Sequence, residues 1–237
     1  MCFSVTASFS AGAVLLGLGT LTLKSASRRC ELPFAAIPLL FAIQQLSEGV
    51  IWLTFRYEAP HLNVVMTYVY SFFSHVLWPA YVPVAVLLME PAGSRKRALL
   101  VFVAAGVAVG AYLLYFLVAF PIVSRPIGQH VEYVSPHFFA AAAMTLYLMA
   151  TTFSPILSTH RIVKVFGVLA LLSFAVTYFF YAIWFISVWC FFAALLSVVV
   201  YLHFVVCGAK RSGAATRKPA KASAVPGNQQ VEKKAVA

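Results

Sequence analysis

Four residues in the apolar segment 32–55 have types and spacing that could do chemistry inside a membrane. Gln44, Gln45, Glu48 and Trp52 stand at positions i, i+1, i+4 and i+8. On a helix of 3.6 residues per turn, this spacing places them along one stripe. A charged side chain near the bilayer centre costs at least ~2.5–3.5 kcal/mol on insertion scales, so such residues usually face a polar interior or a pathway. Glu48 therefore indicates where a binding site would lie.

A second polar stripe follows in the next apolar segment. Tyr68, Ser71, His75 and Trp78 are separated by three, four and three residues, which again places them on one helix face. Two antiparallel helices joined by a short loop could bring His75 within direct or water-bridged reach of Glu48. We therefore predict an outward-facing polar site that binds or transports a small molecule, an ion or a proton. The predicted ligand-binding residues are Gln44, Gln45, Glu48, His75 and Trp78.

The same residues leave a metal or haem site open as an alternative. His137 follows Pro136 at the start of a later apolar segment, and Cys2 would become the N-terminal residue if Met1 were removed. Imidazole and soft sulfur suit transition metals. The predicted metal ligands are His75, His137, Glu48 and Cys2. A third interpretation is a structural subunit whose polar stripe binds a partner helix. The sequence identifies neither a substrate nor a cofactor.

The composition indicates a membrane protein, whichever of these three interpretations applies. Hydrophobic residues make up 62% of the chain and charged residues 10%, with a mean hydropathy of +0.92. Soluble domains have roughly 45–50% apolar and about 25% charged residues. The net charge of +11 does not indicate a nucleic-acid partner, because the basic residues concentrate in short loops and beyond Gly208. The expected partner is the lipid bilayer. The chain contains no aspartate, which excludes aspartyl proteases, aspartyl-phosphate pumps and Ser-His-Asp triads.

Seven apolar segments have roughly the 20 residues that a helix needs to cross ~30 Å of hydrocarbon. No sustained period-two alternation indicates strands. We predict an all-α bundle of seven transmembrane helices, with a six-span arrangement as the alternative if the last two segments merge or one is re-entrant. The predicted spans are 6–23, 32–55, 64–89, 98–120, 136–157, 162–181 and 184–207. Gly106 and Gly110 form a GxxxG pair, which we predict to lie at a helix contact within the bundle.

The basic residues predict the orientation. The connections after the first, third and fifth spans each carry two or three lysines or arginines, whereas those after the second and fourth carry one each. The positive-inside rule then places the N-terminus outside and the C-terminus in the cytoplasm. The first span is followed, not preceded, by basic residues, so we do not expect it to be a cleaved signal peptide. Residues 1–207 are predicted as the transmembrane domain and 208–237 as a disordered basic cytoplasmic tail.

Several short motifs resemble a family of uncharacterised bacterial multi-pass membrane proteins. They are the opening MCFSxxASF, the segment Glu31–Pro33, and the pattern QQLxEGxxW that begins at Gln44. The segments Leu77–Pro79 and Glu90–Pro91 are also similar, so the resemblance covers most of residues 1–200. It implies a protein of the bacterial inner membrane but no activity.

A looser similarity is to seven-helix membrane hydrolases such as alkaline ceramidases. These proteins use a histidine-coordinated zinc. The last span of this chain has His203 alone where a His-xxx-His pair would be expected, and the aspartate of that group is absent.

Overall fold

The computed structural model describes residues 4–216 and is built mainly of α-helices. The first half of the chain forms α1 (Val5–Ser25), α2 (Leu32–Ala35), α3 (Ile37–Arg56), α4 (Pro60–Ser71), α5 (Trp78–Met89) and α6 (Ser94–Ala119). The second half forms α7 (Ala141–Leu148), α8 (Ser154–Ile156), α9 (Arg161–Phe180), α10 (Phe185–Leu195) and α11 (Ser197–Thr216). Two π-helical segments, Phe72–Leu77 and Met149–Phe153, join α4 to α5 and α7 to α8.

Six helical stretches of the described chain are long and apolar enough to span a membrane, as expected for a multi-pass membrane protein. They are Val5–Ser25, Arg29–Arg56, Pro60–Met89, Ser94–Ala119, Arg161–Phe180 and Ala182–Val206. The last two predicted spans are thus separate helices. The predicted fifth span forms the shorter apolar helix Ala141–Ile156. At 1.5 Å per residue this helix is about 24 Å long, less than the ~30 Å hydrocarbon core.

The prediction of an all-α fold was wrong in one place. Residues Val123–Ile127 (β1) and His130–Val134 (β2) form an antiparallel hairpin, which turns at Gly128 with φ of +61°. Glycine adopts this left-handed conformation without steric cost. Alternating burial in β2, with Val131 and Tyr133 inside, extends over five residues only. Alternation of this length is at the short end of the pattern that indicates a half-buried strand, and the prediction did not use it.

The hairpin packs against the bundle at the end where α3 stops and α4 begins. We call this the hairpin end. The hydroxyls of Thr67 and Ser124 are hydrogen-bonded, with their oxygens 2.7 Å apart. The Tyr133 ring stacks on Tyr70 with centroids 4.4 Å apart. His130 stacks on Trp184 at 4.5 Å. These contacts connect the hairpin to two parts of the bundle, α4 and the short turn that precedes α10.

The opposite end is organised by a buried carboxylate at the end of α5. Glu90 accepts hydrogen bonds from the Ser158 hydroxyl and the Thr159 backbone N–H, both at 3.0 Å, and from the Thr159 hydroxyl. The side chain is 3% exposed. Glu90 therefore fixes the loop that precedes α9.

Glycines set the closest helix approaches. A Cβ at Gly106 would lie 1.9 Å from the Pro79 carbonyl oxygen, and one at Gly110 would lie 3.2 Å from the Val76 carbonyl oxygen. The GxxxG pair of α6 therefore lies against the junction of the first π-helical segment with α5. Small residues permit such close backbone approach in membrane bundles.

The predicted boundary between domain and tail falls inside a helix. Helix α11 continues from Ser197 to Thr216, past the predicted end of the membrane domain at residue 207. Residues 217–237 of the predicted tail lie outside the described residues.

Candidate functional site

The two polar stripes meet through a hydrogen bond between α3 and α5. The Trp78 indole N–H donates to Gln44 Oε1 across 2.7 Å, and both side chains are buried. The Trp78 ring also stacks on Phe41, with centroids 3.9 Å apart. Trp78 and Gln44 thus join two helices at the centre of the bundle.

Glu48 lies one turn further along α3 and is completely buried. The Ser187 hydroxyl of α10 donates to Glu48 Oε1 across 2.7 Å. The Cys190 thiol, one turn along α10 from Ser187, interacts with the side chains of Gln44, Tyr70 and Glu48. Residues from α3, α4, α5 and α10 are therefore linked in one network of contacts that includes the Glu48 carboxyl group. We call this the Glu48 cluster; its members are Gln44, Gln45, Glu48, Tyr70, Trp78, Ser187 and Cys190.

The two glutamines of the cluster retain hydrogen-bonding capacity. Gln45 is completely buried, yet neither its amide nitrogen nor its amide oxygen has a hydrogen-bond partner among residues 4–216. The same is true of the Gln44 amide nitrogen. Buried polar groups of folded proteins are nearly always hydrogen-bonded to protein or to ordered water, and an unsatisfied one costs ~1–3 kcal/mol. The amide nitrogen and oxygen of Gln45 are therefore available to a ligand or to water, while the Gln44 amide lies beside the Cys190 thiol.

The space beside the cluster is small. A cavity of about 40 Å³ adjoins Trp78 and Cys190 and is otherwise lined mainly by aromatic and aliphatic residues such as Phe41, Tyr147 and Trp189. Sites for drug-sized ligands have volumes of ~300–1,000 Å³. In this conformation the cluster is closed to an organic molecule.

His75 was predicted to join this site, but the structure places its hydrogen bonds elsewhere. The imidazole is buried in the first π-helical segment. Its Nδ1 lies 2.8 Å from the Ser74 hydroxyl and its Nε2 lies 2.9 Å from the Ser135 hydroxyl. Both ring nitrogens are thus engaged by serines, and His75 makes no direct hydrogen bond to Glu48.

The π-helical turn explains this placement. Pro79 cannot donate the backbone hydrogen bond that a regular helix requires, and its ring crowds the carbonyl four residues earlier. The first π-helical segment ends two residues before Pro79, and the second likewise ends two residues before Pro155. The widened turn leaves the Ser74 carbonyl to accept a 2.5 Å hydrogen bond from the Tyr147 hydroxyl. An α-helical spacing therefore predicts the wrong direction for the His75 side chain.

His75 and His137 share a second, larger cavity of about 250 Å³ between α6 and the chain that follows the hairpin. His137 stacks on Phe116 of α6, with centroids 3.7 Å apart. Apart from the two histidines and Ser135, the lining is apolar. We call this space the His75 cavity; its lining residues are His75, Leu113, Phe116, Leu117, Phe120, Pro121, Ile122, Val134, Ser135 and His137.

The predicted metal ligands are only partly brought together. His75 and His137 line one cavity, Glu48 lies in the other site, and Cys2 lies outside the described residues. Within residues 4–216, no group of three or more histidine, cysteine, aspartate or glutamate side chains is placed to hold a metal ion. A site that includes Cys2 stays a prediction.

Sequence reasoning did not identify Ser187, Tyr70 or Ser135 as candidates. Ser187 and Cys190 are one turn apart in a strongly apolar helix, and this polar pair is a signal that could have been used. Ser135 offers no comparable signal, because its contact with His75 joins residues sixty positions apart in the chain.

Comparison with known proteins places the chain in a family but not in a functional class. No curated protein and no solved structure matches it. One family model, described as a family of unknown function (DUF6629), matches residues 1–218. The chain therefore belongs to this family of unknown function, DUF6629.

Proposed function

We propose that this membrane protein binds a proton or small ion at Glu48, inside the bundle. The observation that carries the proposal is the complete burial of Glu48 beside glutamine amides with unused hydrogen-bonding capacity. Ionisable residues at membrane depth mark ion pathways and proton relays. The Ser187 hydroxyl can orient the carboxyl group in either protonation state, because a hydroxyl both donates and accepts.

The size of the site favours a proton over an organic ligand. A cavity of about 40 Å³ leaves room for a few water molecules at most, since each water needs ~10–15 Å³ of cavity volume. A proton needs no cavity of its own. Binding of a larger polar molecule by Gln44, Gln45 and Trp78 would require the helices to separate, and that remains the alternative.

Infrared difference spectroscopy in lipid vesicles tests proton uptake directly. We expect the carbonyl stretch of a protonated carboxylic acid to appear and disappear as the pH is cycled. This band should be absent from Glu48→Gln and retained in Glu132→Gln, a matched change in the hairpin. If the folded Glu48→Gln variant still shows this band, the proposal is refuted.

A flux measurement then separates binding from transport. Vesicles loaded with a pH-sensitive dye would report proton entry driven by a potassium diffusion potential. Flux that is present in the wild type and lost in Glu48→Gln would indicate transport. A titrating Glu48 band without flux would indicate binding alone. Stoichiometric metal in protein purified without a metal-affinity tag would instead favour the metalloprotein alternative.

A further inference from the structure

The hydroxyl of Ser135 and the imidazole of His75 form a nucleophile–base pair at the His75 cavity. We propose that Ser135 is a catalytic nucleophile for acyl transfer from an ester whose acyl chain lies in the membrane, with His75 as its general base. This activity is independent of proton binding at Glu48. The sequence excludes a Ser-His-Asp triad for lack of aspartate, but a serine and a histidine suffice when a third group orients the ring.

The hydrogen-bond network fixes which ring nitrogen of His75 accepts. The Ser74 hydroxyl donates its only hydrogen to the Ser71 carbonyl oxygen, at 3.2 Å. With that hydrogen used, we assign Ser74 Oγ as the acceptor of the hydrogen bond from His75, so that Nδ1 carries the ring hydrogen. Neutral imidazole has one donor and one acceptor nitrogen, which leaves Nε2 to accept from Ser135 across 2.9 Å. This is the arrangement that a general base needs.

Packing and hydrogen bonds enclose the His75 side of the pair. His75 is 2% exposed, and Phe138 packs against its ring with centroids 5.0 Å apart. The Tyr147 hydroxyl holds the neighbouring Ser74 carbonyl. Ser135 is only half-buried and follows β2, where the chain enters the short helical turn Pro136–Phe139. The base is thus enclosed while the hydroxyl reaches the cavity.

The cavity lining indicates the class of substrate. One wall consists of Leu113, Phe116 and Leu117 of α6 together with Phe120, which follows the helix. No lysine or arginine lines the described cavity. Such a wall suits an aliphatic chain and offers nothing to a free phosphate or carboxylate. The volume of about 250 Å³ is below that of a typical drug-sized site, so part of the acyl chain would extend into the surrounding lipid. An acyl ester of the bilayer fits these features.

The chemical step balances without a cofactor. Ser135 Oγ attacks the ester carbonyl carbon while its proton moves to His75 Nε2. The tetrahedral intermediate collapses with cleavage of the bond to the leaving oxygen, which takes the proton from Nε2 and departs as an alcohol. Water then attacks the acyl-serine, transfers a proton through the same nitrogen, and releases the carboxylic acid. No oxidant or reductant is required.

A long-chain alkyl fluorophosphonate tests the assignment in the full-length protein in mild detergent. Its phosphorus would bond to Ser135 Oγ with loss of fluoride, and peptide mass spectrometry would locate the adduct. We expect modification at Ser135 in the wild type. The rate at this hydroxyl should fall at least about a hundredfold in His75→Gln, the usual contribution of a general base. The positioning variant Ser74→Ala should also slow modification, whereas Ser10→Ala, at an exposed position of α1, should not.

Thermal unfolding of each variant identifies those that retain the fold. Modification at Ser135 that depends on His75 in folded variants would support the proposal. A folded wild type that is not modified at Ser135 would overturn it. Equal rates in wild type and folded His75→Gln would also overturn it, because His75 would then not act as a base.

Discussion

At the residue scale, the hydrogen bond between Trp78 and Gln44 is one of two 2.7 Å contacts that join helices in the Glu48 cluster. Its donor and acceptor come from different helices, 34 positions apart, and both are buried. Trp52 provides a natural comparison, since its indole nitrogen is buried without a hydrogen-bond partner in the described structure. The two tryptophans thus differ in whether the indole N–H donates a hydrogen bond to a described residue.

We predict that Trp78→Phe destabilises the protein more than Trp52→Phe does. Trp78→Phe removes the only donor to Gln44 Oε1 among the described residues, whereas Trp52→Phe removes no hydrogen bond. A double-mutant cycle with Gln44→Leu should give a coupling free energy of about 0.6–1.7 kcal/mol, which spans the average and the maximum measured for hydrogen bonds between membrane helices. Reversible unfolding in mixed detergent micelles provides the free energies. Additive effects of Trp78→Phe and Gln44→Leu would contradict the prediction.

Part of this cluster was predictable from the sequence, because helical spacing alone puts Gln44, Gln45 and Glu48 on one buried stripe. Its partners on α10 were not, since no sequence rule states which helices become neighbours across 139 positions. His75 was grouped with Glu48 because regular helical spacing was assumed. The π-helical turn before Pro79 changes that spacing.

At the element scale, the contact of α6 with α5 depends on Gly106. A Cβ there would meet a backbone carbonyl oxygen at 1.9 Å, and backbone cannot move aside as a flexible side chain can. Gly17 of α1 is a matched comparison, because nothing lies within 4 Å of the position of its Cβ. The GxxxG motif was visible in the sequence, whereas its partner surface depends on the π-helical distortion of the neighbouring helix.

We predict that Gly106→Ala lowers the free energy of unfolding by about 1–3 kcal/mol, the usual cost of overpacking. Gly17→Ala should be neutral or stabilising by up to about 1 kcal/mol, because alanine favours helix more than glycine. Both variants are compared with the wild type by the same detergent titration. Equal stability of Gly106→Ala and wild type would show that the two helices do not approach as closely as described.

At the scale of the whole molecule, the number of membrane crossings depends on whether the short helix Ala141–Ile156 spans the bilayer. It starts after β2 at the hairpin end, and the loop that follows it binds Glu90 at the opposite end. The preceding turn Pro136–Phe139 adds about 8 Å to the path at ~2 Å per residue. Together these segments are long enough to connect the two sides of a bilayer. The chain would then cross seven times, as the loop charges also predict.

We therefore predict that the two ends of the chain lie on opposite sides of the membrane. In a background without native cysteines, Gln129→Cys at the hairpin should react with a membrane-impermeant maleimide in intact cells. Lys96→Cys and Lys221→Cys should react only after permeabilisation. If Ala141–Ile156 does not cross, Lys221→Cys would react in intact cells while Lys96→Cys stays protected. That result would place Arg161 and Lys164 outside, against the positive-inside rule, and the seven-span topology would be wrong.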